Sequence, residues 1–248
     1  MNIVLTNDDG YDAPGLQAAF DALSGLGRVH VVAPKTERSA CSHTISLRSP
    51  ITVERIRHDR LGTVYVVDGS PADCVRLATA ALIEKPIDLV VSGINRGANA
   101  GVDTYYSGTI AGAREAAILG IRAIAVSQAI RTEVDTDWPA ASNITAILLQ
   151  ELINESLPGP GFFSVNLPAP IPPDARNHVH RVPLAAHPMP MAFDRAERDN
   201  GRIMEFAYGA SYWLREVTGP SDYSVIRDGA VAVTAIPLFG RFQPYDTL

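Results

Sequence analysis

Two adjacent carboxylates, Asp8 and Asp9, follow directly on the apolar run at residues 2–6 in the opening segment MNIVLTNDDG. Paired negative charge at the end of a buried strand suits a hard divalent cation such as Mg²⁺ or Mn²⁺, which takes carboxylate and neutral oxygen donors and keeps positions for water. Ser39 follows a second apolar run, RVHVVAP, by a short loop, and Asn95 follows a third, in IDLVVSGIN. If these runs are parallel strands, Asp8, Asp9, Ser39 and Asn95 meet in one crevice beyond the carboxyl ends, where open α/β sheets bind ligands. No cysteine or histidine cluster points to zinc. The plainer alternative is that Asn-Asp-Asp-Gly is only a turn, since each of those residue types favours one. Spacing alone leaves both readings open. The Gly-x-Gly-x-x-Gly of dinucleotide binders is absent after the first strand, which argues against a dehydrogenase.

SGINRGANAGVDTYYSGTIAGAREAA is the second informative stretch. Its glycines permit close backbone approach, and Ser107, Gly108 and Thr109 open a helix whose exposed N–H groups and dipole would hold a phosphate. Asn99 could add a neutral hydrogen bond there. The alternative for Ser107 or Thr109 is ordinary N-capping. Other candidates carry less. His43 lies near Ser39 and could donate a proton, although a lone loop histidine is more often solvated. Arg96 could reach a phosphate or stand free in solvent. His178 and His180 alternate, which fits a half-exposed strand face better than a metal site.

The elements that must position these groups follow from the apolar pattern. Strands are expected at 2–6, at RVHVVAP, IDLVVSG and AIAVSQA, and at GFFSVNLP. Between them, APGLQAAFDALSGLG, PADCVRLATAALIE, GTIAGAREAAILG and WPAASNITAILLQELINES read as helices. SPITVERIRH and TVYVVDGSP flank a turn and predict a β-hairpin. Continuous Val/Ile/Leu strands alternating with helices indicate an α/β fold, a Rossmann-like doubly wound and mostly parallel sheet covered on both faces. Residues 1–168 are expected to form this metal- and phosphate-binding core, with the hairpin inserted at about 40–70. After Pro168 the repeat gives way to Pro, charge and short β-like pieces, so residues 169–248 are expected to form a smaller β-rich lobe that carries the oligomerisation segment.

The 248 residues suffice for a large core, and a net charge of -6 argues against a nucleic-acid groove. No apolar run has membrane-spanning length and no signal-peptide pattern opens the chain, so a cytoplasmic location is expected. Cys41 and Cys74 form no Cys-x-x-Cys and no disulfide framework.

Taken together, NIVLTNDDGYDAPGL, VVAPKTERSACSHTISL, GSPADCVRLA, the run from DLVVSGIN to IRAIAVS, and FFSVNLP resemble the SurE family of survival-protein nucleotidases. The likeness runs in order over roughly two thirds of the chain. It implies a metal-dependent phosphatase acting on nucleoside 5′- and 3′-monophosphates, in some members also on short polyphosphate. It further implies a homodimer or tetramer built by exchange of C-terminal segments. Carried over by motif, one Mg²⁺ or Mn²⁺ would be held by Asp8 and Asp9 of TNDDG, Ser39 of ERSAC and Asn95 of SGIN. Ser107, Gly108 and Thr109 of YSGT, with Asn99, would hold the phosphate. Ala40 stands where many relatives have glycine, and Asp222 occupies the family's late acidic position. The implied reaction is attack by water on the phosphate monoester, with Asp8 and Asp9 as the catalytic carboxylates. An aspartyl-phosphate route is less favoured because the Asp-x-Asp spacing usual in such enzymes is absent. An exopolyphosphatase, a broad acid phosphatase and a non-catalytic nucleotide sensor are the rival readings.

Overall fold

A computed structural model describes residues 1–84 and 86–239. The first strand, β1 (Asn2–Thr6), alternates its side chains between the two faces of a sheet, and both faces are buried. Ile3 and Leu5 join a cluster with Leu16 and Leu148, whereas Val4 joins another with Cys74 and Ile110. A strand covered on both sides favours apolar residues, which explains the run Ile3–Leu5. Buried and mostly apolar residues also make up β2 (Arg28–Pro34) from Val31 onward, β5 (Leu89–Arg96), β6 (Arg122–Gln128) and β7 (Gly161–Leu167), with Ser92, Ser127, Ser164 and Asn166 as buried polar exceptions.

Helices α1 (Pro14–Ala22) and α4 (Trp138–Leu152) supply the cover on one face, and α2 (Pro71–Leu77) and α3 (Gly108–Ile118) on the other. Helix α2 starts with a full capping box, Ser70 and Asp73 each satisfying the other's backbone N–H. It continues as a wider helical turn over Ala78–Leu82 rather than as the single helix expected to reach residue 84. Gly15 of α1 sits so close to β5 that a Cβ would fall 1.9 Å from the Ile94 carbonyl oxygen, so only glycine permits this approach.

The hairpin strands β3 (Val53–His58) and β4 (Gly62–Val67) are antiparallel to each other, and β4 runs parallel to β2. They therefore extend the main sheet instead of forming a separate insertion. Counting the C-terminal strands β8 (Val179–Arg181) and β11 (Val231–Pro237), the nine-stranded order is β3-β4-β2-β1-β5-β6-β7-β11-β8. Strand β11 lies antiparallel on β7 and carries β8 at its outer side. The expected boundary at residue 168 thus does not divide the sheet. Among the described residues only β9 (Phe193–Arg198) and β10 (Ile203–Tyr208) stand apart, as a fully exposed two-stranded ribbon. Among the described residues no helix is long and apolar enough to cross a membrane.

The chain leaves β1 towards β2 and β4 on one side, then returns to place β5 on the other. The carboxyl ends of β1 and β5 therefore flank the point where the winding reverses, and the crevice of a doubly wound sheet lies there.

Candidate active site

At the end of β1 the Asn7 amide donates to the Gly10 carbonyl oxygen at 2.8 Å, and Gly10 holds a φ of +105° that disfavours any other residue. The segment is a turn, as the plainer reading had it, and the turn displays both carboxylates. Asp8 is buried and accepts a short hydrogen bond from the Thr109 hydroxyl. Asp9 is half-buried and accepts from the Arg96 N–H at 3.1 Å. Burial pushes the Asp8 carboxyl up to about 6 against the pull of the Thr109 bond, with the Asp9 charge adding to the rise. Asp9 is also raised, first by burial, with the Arg96 N–H opposing and Glu37 reinforcing it. Among the described residues neither carboxylate has a cationic side chain as ion-pair partner. The Arg96 charge offsets part of the rise at Asp9, but neither acid is ion-paired among these residues, and a bound cation would supply the missing countercharge.

The other expected ligands converge on this turn. The Arg38 N–H donates to the Asp8 carbonyl oxygen at 2.7 Å, which ties the loop bearing Ser39 to the carboxylates. The Ser39 hydroxyl itself donates to Glu37 at 2.6 Å. Ala40 takes a left-handed φ of 54°, a conformation in which glycine is unstrained. Strand β5 shifts register against β6 between Ser92 and Asn95, and the Asn95 amide nitrogen then bonds the Gly97 carbonyl oxygen at 2.7 Å. Among the described residues no hydrogen bond uses the Asn95 Oδ1. Two carboxylates, an amide oxygen and a hydroxyl make an all-oxygen donor set that fits a hard cation. Among the described residues no group of three or more His, Cys, Asp or Glu forms an alternative metal site.

Helix α3 begins against Asp8. Ser107 is its N-cap, its hydroxyl accepting from the Ile110 N–H at 3.1 Å. A Cβ on Gly108 would lie 2.8 Å from the Asp8 Cβ and 2.9 Å from its carboxylate, so glycine is what lets the helix start touch the acid. The Ile110 N–H is thus capped, while those of Gly108 and Thr109 have no helical partner and carry the positive end of the dipole. Asn99 is buried, one amide N–H donating to the Ser127 hydroxyl at 2.8 Å, which leaves the other for a ligand.

Sequence reasoning missed the supports of this loop. Asp103 binds Arg215 at 2.7 Å, and Arg215 also donates to the Ala100 carbonyl oxygen at 2.9 Å while lying over the Tyr212 and Tyr223 rings. Asp222, assigned by resemblance to an acidic position of the family, accepts from the Gly101 and Ala185 N–H groups at 2.7 and 2.8 Å. The C-terminal segment thus clamps the turn Gly101–Tyr105 that leads into α3. Only pairing of residues more than a hundred positions apart reveals this. His43 is tied to Glu115 at 2.8 Å, which also holds Arg76, so its imidazole is committed to the body of α3. His178 pairs with Asp174 and both it and His180 are exposed, away from any ligand cluster.

The family described as Survival protein SurE matches residues 3–186. A protein named 5′-nucleotidase SurE from Rhodopirellula baltica is 37% identical over 95% of this chain and 92% of its own. One of the same name from Desulfitobacterium hafniense is 39% identical over 94% of this chain and 90% of its own. Among solved structures, the SurE protein from Aquifex aeolicus superimposes with a TM-score of 0.82 at 32% identity, covering 96% of this chain and 94% of that one.

Proposed function

The chain belongs to the SurE family, and on that premise we propose that it is a metal-dependent 5′-nucleotidase that hydrolyses nucleoside 5′-monophosphates, and 3′-monophosphates as well. The observation that carries the reading is the desolvated Asp8–Asp9 pair, without an ion-pair partner among the described residues, held against the start of α3 at the switch point of the sheet.

Asp8, Asp9, Ser39 and Asn95 would hold one Mg²⁺ or Mn²⁺, which when bound supplies Lewis-acid charge to a phosphoryl oxygen and lowers the pKa of water. The first-turn amides of α3 receive the remaining phosphoryl oxygens and oppose charge as it develops there. Asp8 is locked by Thr109 and buried, so its part is to fix the geometry. Asp9 keeps Oδ1 clear of the Arg96 N–H, which engages Oδ2, and that free oxygen can accept a proton from the attacking water. A cavity of about 350 Å³, lined by Gly97, Ala98, Ile130, Tyr212 and Trp213, begins two residues after Asn95 and would receive the nucleoside. The enzyme is expected to act as a cytoplasmic homo-oligomer.

The test is phosphate release from a panel of nucleoside monophosphates and polyphosphate, with Mg²⁺ or Mn²⁺ and again with EDTA. Metal-dependent release, highest on 5′-monophosphates, is the expected result. Release insensitive to EDTA would refute the metal site, and nucleotide binding without release would make the protein a sensor.

A further inference from the structure

The amino edge of the sheet, opposite the crevice, carries charge where its neighbours carry core. On β2 the residues facing α2 and α3 are Arg28, His30 and Val32, and only Val32 joins the apolar cluster of that face. The register places Tyr65 beside Val32 and Arg55 beside Tyr65, and Arg57 beside Thr63, so these side chains share the same face. Helix α2 and its continuation end before covering this edge. Two adjoining cavities, of about 280 and 240 Å³, remain, and Arg28, His30, Arg55 and Tyr65 line both.

Several features separate this cleft from an ordinary solvated surface. Arg28, Arg55 and the flanking Arg57 form no ion pair among the described residues, although the chain carries six more acidic than basic side chains. Glu84 is the one carboxylate among the lining residues, and it is exposed. The His30 Nε2 is buried without a hydrogen-bond partner, a state native proteins rarely leave unexplained. Burial, then the charge of Arg28, holds the imidazole below its usual pKa, so it is neutral near pH 7 and can donate one hydrogen bond. Guanidinium groups on a shaped wall match the geometry of phosphate oxygens, and Tyr65, Leu82 and Ile83 give that wall an aromatic and apolar side.

We propose that this cleft is a second binding site, taking a small phosphate-bearing anion between Arg28 and Arg55. It is separate from the Asp8–Asp9 crevice. Asn2 opens β1, whose four residue steps span about 13 Å at the rise of an extended strand, and Asp8 lies past its other end. The inference does not rest on the nucleotidase reading, because none of its residues belongs to that site.

The test is an NMR titration of the whole chain in EDTA with inorganic phosphate, and separately with AMP, for wild type and the double variant Arg28→Gln/Arg55→Gln. Both arginines are exposed, so the variant should fold, and its thermal melt checks this. Saturable shifts are expected at the amides of His30, Thr63 and Tyr65. The variant should bind at least about tenfold more weakly there, as loss of charge-assisted contacts requires, while any shifts at the start of α3 persist. Response to phosphate alone would show that the phosphoryl group suffices, and response only to AMP that the nucleoside is also read. No shift at the three amides with either probe, or shifts equal in the variant, would overturn the proposal.

Discussion

Replacing Asp8 by Asn should stabilise the metal-free protein while abolishing its activity. The carboxyl is buried and its pKa rises from 3.8 to about 6, so in the absence of a cation its ionised form destabilises the fold by about 3 kcal/mol at pH 7. The sign follows from proton binding. Folded Asp8 holds its proton more tightly than the unfolded chain does, so through this group stability increases as pH falls through 6 and levels off below about 4. Asn carries no charge, and its side-chain oxygen can still accept the Thr109 hydrogen bond. Urea unfolding in EDTA at pH 7 should therefore find Asp8→Asn more stable than wild type by up to about 3 kcal/mol, with about half of that gap left at pH 5. The difference between the two proteins isolates Asp8 from the other raised acids, Asp9, Asp103 and Asp222, which both contain. A variant no more stable than wild type at pH 7, or a gap that does not narrow towards pH 5, would refute the picture of an uncompensated buried charge.

The remaining predictions concern the same crevice and its supports. Asp9→Asn should lower phosphate release by roughly two orders of magnitude or more, with an unchanged circular dichroism spectrum. Ser107→Ala removes a helix cap, costs about 1 kcal/mol in denaturant unfolding, and lowers release less than Asp9→Asn because backbone amides remain. Gly108→Ala forces a methyl group against Asp8. Unfolding should report a loss of about 1–3 kcal/mol, and release should fall sharply. Arg215→Met leaves Asp103 buried without its partner, so it should cost about 3–5 kcal/mol in stability, whereas Arg215→Lys should retain part of it and show its defect mainly as a raised KM.

The parallel core was legible because its strands are largely buried on both faces, which writes mostly apolar runs into the chain. β1 and β2 fall where those runs place them. Asp8, Asp9, Asn95 and the start of α3 were legible for a related reason: the switch point gathers whatever follows these strands. The C-terminal third was less so. Strand β8 has three residues, too few for a period, and its place beside β11 depends on a partner about fifty positions later. The buried pair of Asp103 with Arg215 left no local sign, since charged residues in a polar stretch read as solvated until the fold brings them together. His43 was misleading for the opposite reason. It lies close to Ser39 in sequence, yet the loop delivers it to Glu115.

The clamp on the glycine loop has a consequence for how the protein is made. Every expected ligand lies within the first 109 residues, but the side chains that fasten the loop, Arg215 and Asp222, follow more than a hundred residues later. A nascent chain can pair β1, β2, β4 and β5 and gather its acidic residues well before Arg215 and Asp222 are added, since domains assemble from the amino end as they emerge. During that interval the turn before α3 has no C-terminal segment to hold it. The turn is therefore fastened only when this segment docks, and a chain cut short before Arg215 would carry the acids without the fastened loop.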